Sequence, residues 1–179
     1  MRGGGKVSFI GLLLLSSSVV QGSSANGESD KAPMFRASLL AVANSSDILQ
    51  KDTHTVMLSI SSNKGYVKFY SVAKESVIRV DLRKNRDSGS WVPTSVTAKP
   101  DLEKTSHQKL NATKVLADAL SNLGAETWLT KDKFRVTVVS ADNIEYALYR
   151  VSVDPYYEWN SLYLKVSPDG TIKDRWSGY

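Results

Sequence analysis

Between Thr53 and Leu82 the apolar side chains fall on every second position, in three successive runs. Val56, Leu58 and Ile60 alternate with Met57 and Ser59. Val67 and Phe69 alternate with Lys68 and Tyr70, and Ile78, Val80 and Leu82 alternate with Arg79 and Asp81. Successive side chains of a strand point to opposite faces, so each run buries one face and wets the other. Ser62-Asn63-Lys64-Gly65 and Ala73-Lys74-Glu75 separate the runs. Connections this short join only antiparallel neighbours, and the stretch reads as a three-stranded meander.

The period then changes once. Ala112, Val115, Leu116, Ala119, Leu120 and Leu123 repeat at spacings of three and four, which builds one apolar stripe on a helix. The helix is expected from about Ser106 to Leu123, capped by Thr105 or Ser106 and stopped at Gly124. Asn111 falls off its stripe. Strand composition resumes at Thr127–Thr130, Phe134–Val139, Ile144–Val153, Leu162–Val166 and Thr171–Trp176. Ser167-Pro168-Asp169-Gly170 is a hairpin signal, because proline presets the first turn angle and glycine accepts a positive φ. Strands, one helix and strands again, joined by short turns, predict an α+β domain. Its core is an antiparallel, curved multi-stranded sheet with one main packed helix at about 106–123. Met34 to Val42 is apolar and fits either element. Residues 83–105 carry Gly89, Pro93 and Pro100 and read as a long connection around Trp91, with room for a short strand from Trp91 to Val96. No internal sequence repeat stands out.

At the N-terminus, Arg2 and Lys6 precede the apolar run Val7–Leu15, and small residues follow at Gly22, Ser23, Ser24 and Ala25. That order is a secretory signal, too short to anchor in a bilayer. Cleavage is expected after Gly22, with Ala25 as a second candidate. The expected organisation is a signal peptide at 1–22, a polar flexible leader at 23–33 and a single domain at 34–179, secreted and extracellular or delivered onward into host cells, with no membrane anchor and a monomeric state. The sequence holds no cysteine, so the domain relies on its core, and thiolate chemistry is excluded. The formal charge of +5 falls when Arg2 and Lys6 leave, and the longest basic cluster, Arg83-Lys84-Asn85-Arg86, reads as a solvated loop. DNA-binding proteins carry a denser basic stripe, and DNA is not an expected partner. Asn44-Ser45-Ser46 and Asn111-Ala112-Thr113 are acceptor sequons, which make Asn44 and Asn111 candidate glycosylation sites.

Chemistry-bearing motifs are few. The two histidines, His54 and His107, lack a partner carboxylate in any recognised spacing. Neither a metal-ligand spacing, a phosphate loop nor a Gly-x-Ser-x-Gly elbow occurs, so no cofactor or metal is expected. Asp132, Asp142, Asp154 and Asp169 sit in turns, where aspartate serves the backbone. Aromatic residues crowd the C-terminal end: Tyr156, Tyr157, Trp159, Tyr163, Trp176 and Tyr179, interleaved with Lys165, Lys173 and Arg175. Aromatics among cations stack bases or grip a protein partner, which makes Tyr156, Tyr157, Trp159, Lys173 and Arg175 the candidate binding residues. Simple alternation puts Ile172 and Trp176 on one side of the last strand and Lys173 and Arg175 on the other, the pattern of a core with a charged outer face.

Pro155-Tyr156-Tyr157-Glu158-Trp159 resembles the strand that carries the catalytic glutamate of secreted fungal guanyl-specific ribonucleases, and of the ribonuclease-like effectors of plant-pathogenic fungi. The resemblance implies a helix before an antiparallel sheet, and Glu158 as the general base for a ribose 2′-hydroxyl. The family's arginine position holds Leu162 and Tyr163 here. Its terminal histidine is replaced by Arg175-Trp176-Ser177-Gly178, and its disulfides are absent. Without the acid and the cation, turnover is not expected. The expected function is a secreted, non-enzymatic interaction protein of the pathogen-effector type that binds a host protein or RNA. The alternatives are a secreted ribonuclease using Glu158, or a structural surface glycoprotein.

Overall fold

The computed structural model describes residues 25–50, 52–101, 110–123, 129, 131–141, 145–153 and 161–178. The chain runs α1 (Ala25–Ala43), β1 (Thr53–Ser61), β2 (Lys64–Ser71), β3 (Ser76–Lys84) and β4 (Trp91–Lys99). It continues through α2 (Ala112–Leu120), β5 (Lys133–Ser140), β6 (Ala147–Ser152), β7 (Ser161–Val166) and β8 (Ile172–Ser177). All strands join one antiparallel eight-stranded sheet in the order β4-β3-β2-β1-β5-β6-β7-β8. The fold is the expected α+β, with a curved sheet and packed helices. Its topology is a helix followed by a four-stranded meander, and then the same again, with β1 and β5 meeting at the centre. The duplication is architectural and leaves no repeat in the sequence.

The period-two runs dictate which face is buried. Val56, Leu58, Val67, Phe69, Val80, Phe134, Val136 and Leu164 all enter the core beneath the helices. Helix α1 lays Met34, Phe35, Leu39 and Val42 on this face at helical spacing. Phe35 stands 5.9 Å from Phe69 of β2 and 5.1 Å, nearly perpendicular, from Phe134 of β5. One side chain of the first half thus touches both sides of the central pairing, and its contact with Phe134 has the edge-to-face geometry aromatic rings favour. Gly65 lets α1 come close, because a Cβ there would lie 2.5 Å from Met34 Sδ.

Several expectations change. Residues 25–33, expected as part of a flexible leader, form the first turns of α1, with Pro33 inside the helix and exposed. Residues 83–105 contain a full edge strand, β4, longer than the short strand allowed for. Helix α2 starts at Ala112 rather than near Ser106, because Asn111 is its N-cap. The Asn111 side chain accepts from Lys114 N at 2.9 Å and donates to Ala43 O at 2.9 Å. Asp47, in the segment after α1, accepts from Ala112 N at 2.7 Å, Thr113 N at 3.0 Å and Thr113 Oγ1 at 2.5 Å. These bonds satisfy backbone donors that the first turn of any helix leaves open. The Tyr149 hydroxyl donates to Ala112 O from below, and burial pushes that phenol well above its usual range. A nine-residue helix is marginal alone, so α2 persists through caps and packing supplied by its neighbours.

Ser167–Gly170 forms the expected turn. Asp169 accepts from Ser167 Oγ at 2.6 Å and Thr171 N at 3.0 Å, which holds its carboxyl down at about 2. Gly170, at φ +84°, packs against Asp118 of α2, where no Cβ fits.

Candidate functional site

Both helices pack on one face of the sheet, and among the described residues no helix lies on the other. The register lines the outward side chains up in rows. Thr97, Arg79, Lys68, Met57 and Lys133 are successive cross-strand neighbours from β4 to β5. Thr53, Thr137, Arg150, Tyr163 and Trp176 form a second row from β1 to β8. Between them run Tyr70, Thr55, Arg135, Ser152 and Ser161, of which Ser152 and Ser161 are buried. The face thus includes the cations Lys68, Arg79, Lys133, Arg135, Arg150 and Lys165 against the acids Asp81 and Asp174.

On the β2–β3 side these charges are engaged with one another. Arg79 reaches Asp81 Oδ1 through Nη2 at 2.7 Å and Nε at 2.9 Å, and Ser95 Oγ donates to Asp81 Oδ2 at 2.9 Å. The Arg79 hydrogen bonds hold the Asp81 carboxyl below the usual carboxylate range and raise the guanidinium in turn. Arg79 and Lys68 also flank the Tyr66 ring, at 4.5 Å and 5.2 Å from its centroid. The pair is solvent-exposed, where such contacts stabilise little.

On the β5–β8 side Lys133 and Arg135 have no ion-pair partner among the described residues. Lys165 Nζ sits 4.3 Å from the Tyr146 ring centroid. Tyr163 and Trp176 stack with parallel planes, 2° apart and 5.3 Å between centroids. That separation is close to the spacing of adjacent strands, about 4.8 Å, so the stack runs across the strands towards the sheet edge.

A β-bulge explains why Trp176 is there. Ile172 pairs with Val166 and Asp174 with Lys165, so Lys173 is an extra residue on β8. The insertion breaks the simple alternation. Ile172 turns towards the core, whereas Trp176 turns outward and is 40% exposed. The expected grouping of Ile172 with Trp176 is therefore corrected. Arg175, opposite Leu164, points to the helix side, and it and Lys173 are exposed. Of the sequence-expected binding residues these two lie on β8, away from the outward rows. Tyr156, Tyr157, Trp159, the candidate base Glu158, and His107 lie outside the described residues. Asn44 is exposed in the turn after α1, whereas the Asn111 amide is committed to capping. Lys133, Arg135 and Arg150 were missed by motif reading. Their signal was the polar half of each alternating strand, which is basic on β5 and β6.

A second polar group lies on the helix side. His54 and Ser71 are cross-strand partners on β1 and β2, with Asp52 beside them. The resemblance to a nucleophile, base and acid ends at the bonding pattern. Ser71 Oγ donates to Asp52, and His54 Nδ1 is buried without a hydrogen-bond partner. An activated serine needs the base on its own hydroxyl. Both side chains are buried, and burial pushes the His54 imidazole below its usual value. The cluster joins the hairpin to the preceding segment and offers no exposed reacting atom.

Among the described residues no group of three or more His, Asp or Glu converges on a metal-sized site, and no helix is long and apolar enough to cross a membrane. No protein-family model, curated protein or solved structure matches this chain.

Proposed function

We propose that this chain acts by binding rather than by turnover, as a secreted interaction protein of the effector type. It engages an anionic macromolecular partner, a host protein or RNA, through the helix-free face of its sheet. The charge-bearing, N-terminally apolar and small-residue order of residues 1–25 supports secretion. The observation that carries the binding reading is the outward face itself. Cations stand in the outward rows on β2, β3, β5, β6 and β7, and those on β5 have no internal counter-charge among the described residues. A surface of one sign attracts ligands of the other, with an attraction that salt screens.

The reading is tested by titrating labelled polyanions against the purified protein at low and physiological salt. Binding is expected to weaken steeply with salt, and Lys133→Glu with Arg135→Glu is expected to abolish it while leaving the melting curve unchanged. Binding that ignores both salt and these substitutions would remove the face from consideration. Incubation with RNA in the same series is expected to leave the strand intact.

A further inference from the structure

We infer that the β6–β8 part of the outward face is a binding site for single-stranded nucleic acid, in which the Tyr163–Trp176 stack receives a base and the neighbouring cations receive phosphates. The inference rests on the anionic-partner reading and goes beyond it by naming the ligand chemistry.

Three features carry it. The first is the stack. Tyr163 and Trp176 lie parallel at 5.3 Å on the last two strands, and no strand is described beyond β8. Trp176 stands on the edge strand and is 40% exposed, which leaves part of the pair open to a ligand. A planar ring is the natural continuation of a parallel aromatic pair, and every nucleobase has one. The second is the placing of the cations. Lys165 lies two residues from Tyr163 along β7, on the same face. Arg135 and Lys133 continue the positive track across β5 towards Lys68 on β2. The third is the distance covered. From β2 to β8 there are five inter-strand gaps in the sheet order β2-β1-β5-β6-β7-β8, which makes a track of about 24 Å at the usual strand spacing. One aromatic end and a line of cations match a chain in which bases and phosphates alternate. An acidic peptide satisfies the cations but brings no ring to the stack, and a duplex keeps its bases stacked inside.

Labelled oligouridylate and oligodeoxythymidylate of about 15 nucleotides, with poly-glutamate as a third probe, are followed by fluorescence anisotropy against the full chain. Both oligonucleotides are expected to bind. Trp176→Ala is expected to weaken them about tenfold, with Trp176→Phe recovering most of the loss and poly-glutamate unaffected by either change. Circular dichroism of each variant confirms that β8 remains in place. A preference for the uridylate assigns RNA as the source of the ligand, and equal affinity assigns the base and phosphate alone; the inference holds in both cases. If poly-glutamate binds as tightly as the oligonucleotides and Trp176→Ala moves none of them, the partner is an acidic protein. The nucleic-acid inference then falls while the anionic reading stands. If no probe binds, both fall.

Discussion

The two halves of the sheet share an architecture and use it differently. The first half has the longer helix, α1 of 19 residues against nine for α2, and it supplies the bridging Phe35. On its outward face the charges close on each other, Arg79 with Asp81 and both Arg79 and Lys68 against Tyr66. The second half leans on the first for the cap of its helix. Its outward face leaves Lys133 and Arg135 without counter-charge among the described residues, and it carries an aromatic pair at the sheet edge. The contrast separates a half that builds the scaffold from a half that carries the proposed binding face.

The largest expected effect tests whether the scaffold is shared. Phe35→Ala should cost about 3–5 kcal/mol and Leu116→Ala about 2–5 kcal/mol. Each should shift one common unfolding transition in denaturant. Two separate transitions, with Phe35→Ala moving only one, would mean that the halves are independent. Next, Asp47→Ala should cost about 2 kcal/mol, because it strips acceptors from buried donors at the start of α2. Hydrogen exchange should show the loss concentrated in Ala112–Leu120, and a uniform loss would break the asymmetry of support.

A smaller effect follows from His54. Its folded value lies below the usual 6.5 because burial disfavours the cation. The unfolded chain therefore takes up the proton first. Stability is fully present above about pH 6.5 and declines as the pH falls from there through the folded value. The urea midpoint should fall as the pH is lowered below about 6.5. His54→Gln should flatten that dependence, and an unchanged slope would show that other groups set it. The smallest effect belongs to the outward face of the first half. Arg79→Ala should leave the melt unchanged, since the ion pair is exposed, and should reduce polyanion binding less than Arg135→Ala does. A larger reduction would move the binding surface to the first half.

Much of the scaffold was legible because burial imposes a period. Val56-Leu58 and Val67-Phe69 on strands, and Val115-Leu116-Ala119 on a helix, are each the shortest statement of which face is dry. Three features escaped for local physical reasons. The first turns of helix α1 are a polar stretch ending at Pro33 whose composition favours disorder, and contacts far away in sequence hold it, among them Met34 and Phe35 in the core and the ion pair of Asp30 with Lys84. Asn111 serves as a cap through contacts with Ala43 and Asp47, residues far away in sequence. A bulge is a matter of one extra residue, and nothing in Ile172-Lys173-Asp174 announces that Lys173 is the extra one. The same bulge concealed the Tyr163–Trp176 pair, so the candidate site was the least legible part of the molecule. The aromatic crowding near the C-terminus was visible, but its face was not.

The central position of β1 has a consequence for synthesis. Its two partners are β2, which follows at once, and β5, which is made only after β4 and α2. Until β5 leaves the ribosome, Thr53–Ser61 is the bare rim of a half-finished sheet, nine residues without a single formal charge. Mature rims in this fold, β4 and β8, are interrupted by a bulge and carry proline or charges, which discourages sticking. The rim that exists only during translation has no such guard. Chains interrupted between β4 and β5 should therefore clump through β1, and the vulnerable interval closes when the second meander arrives.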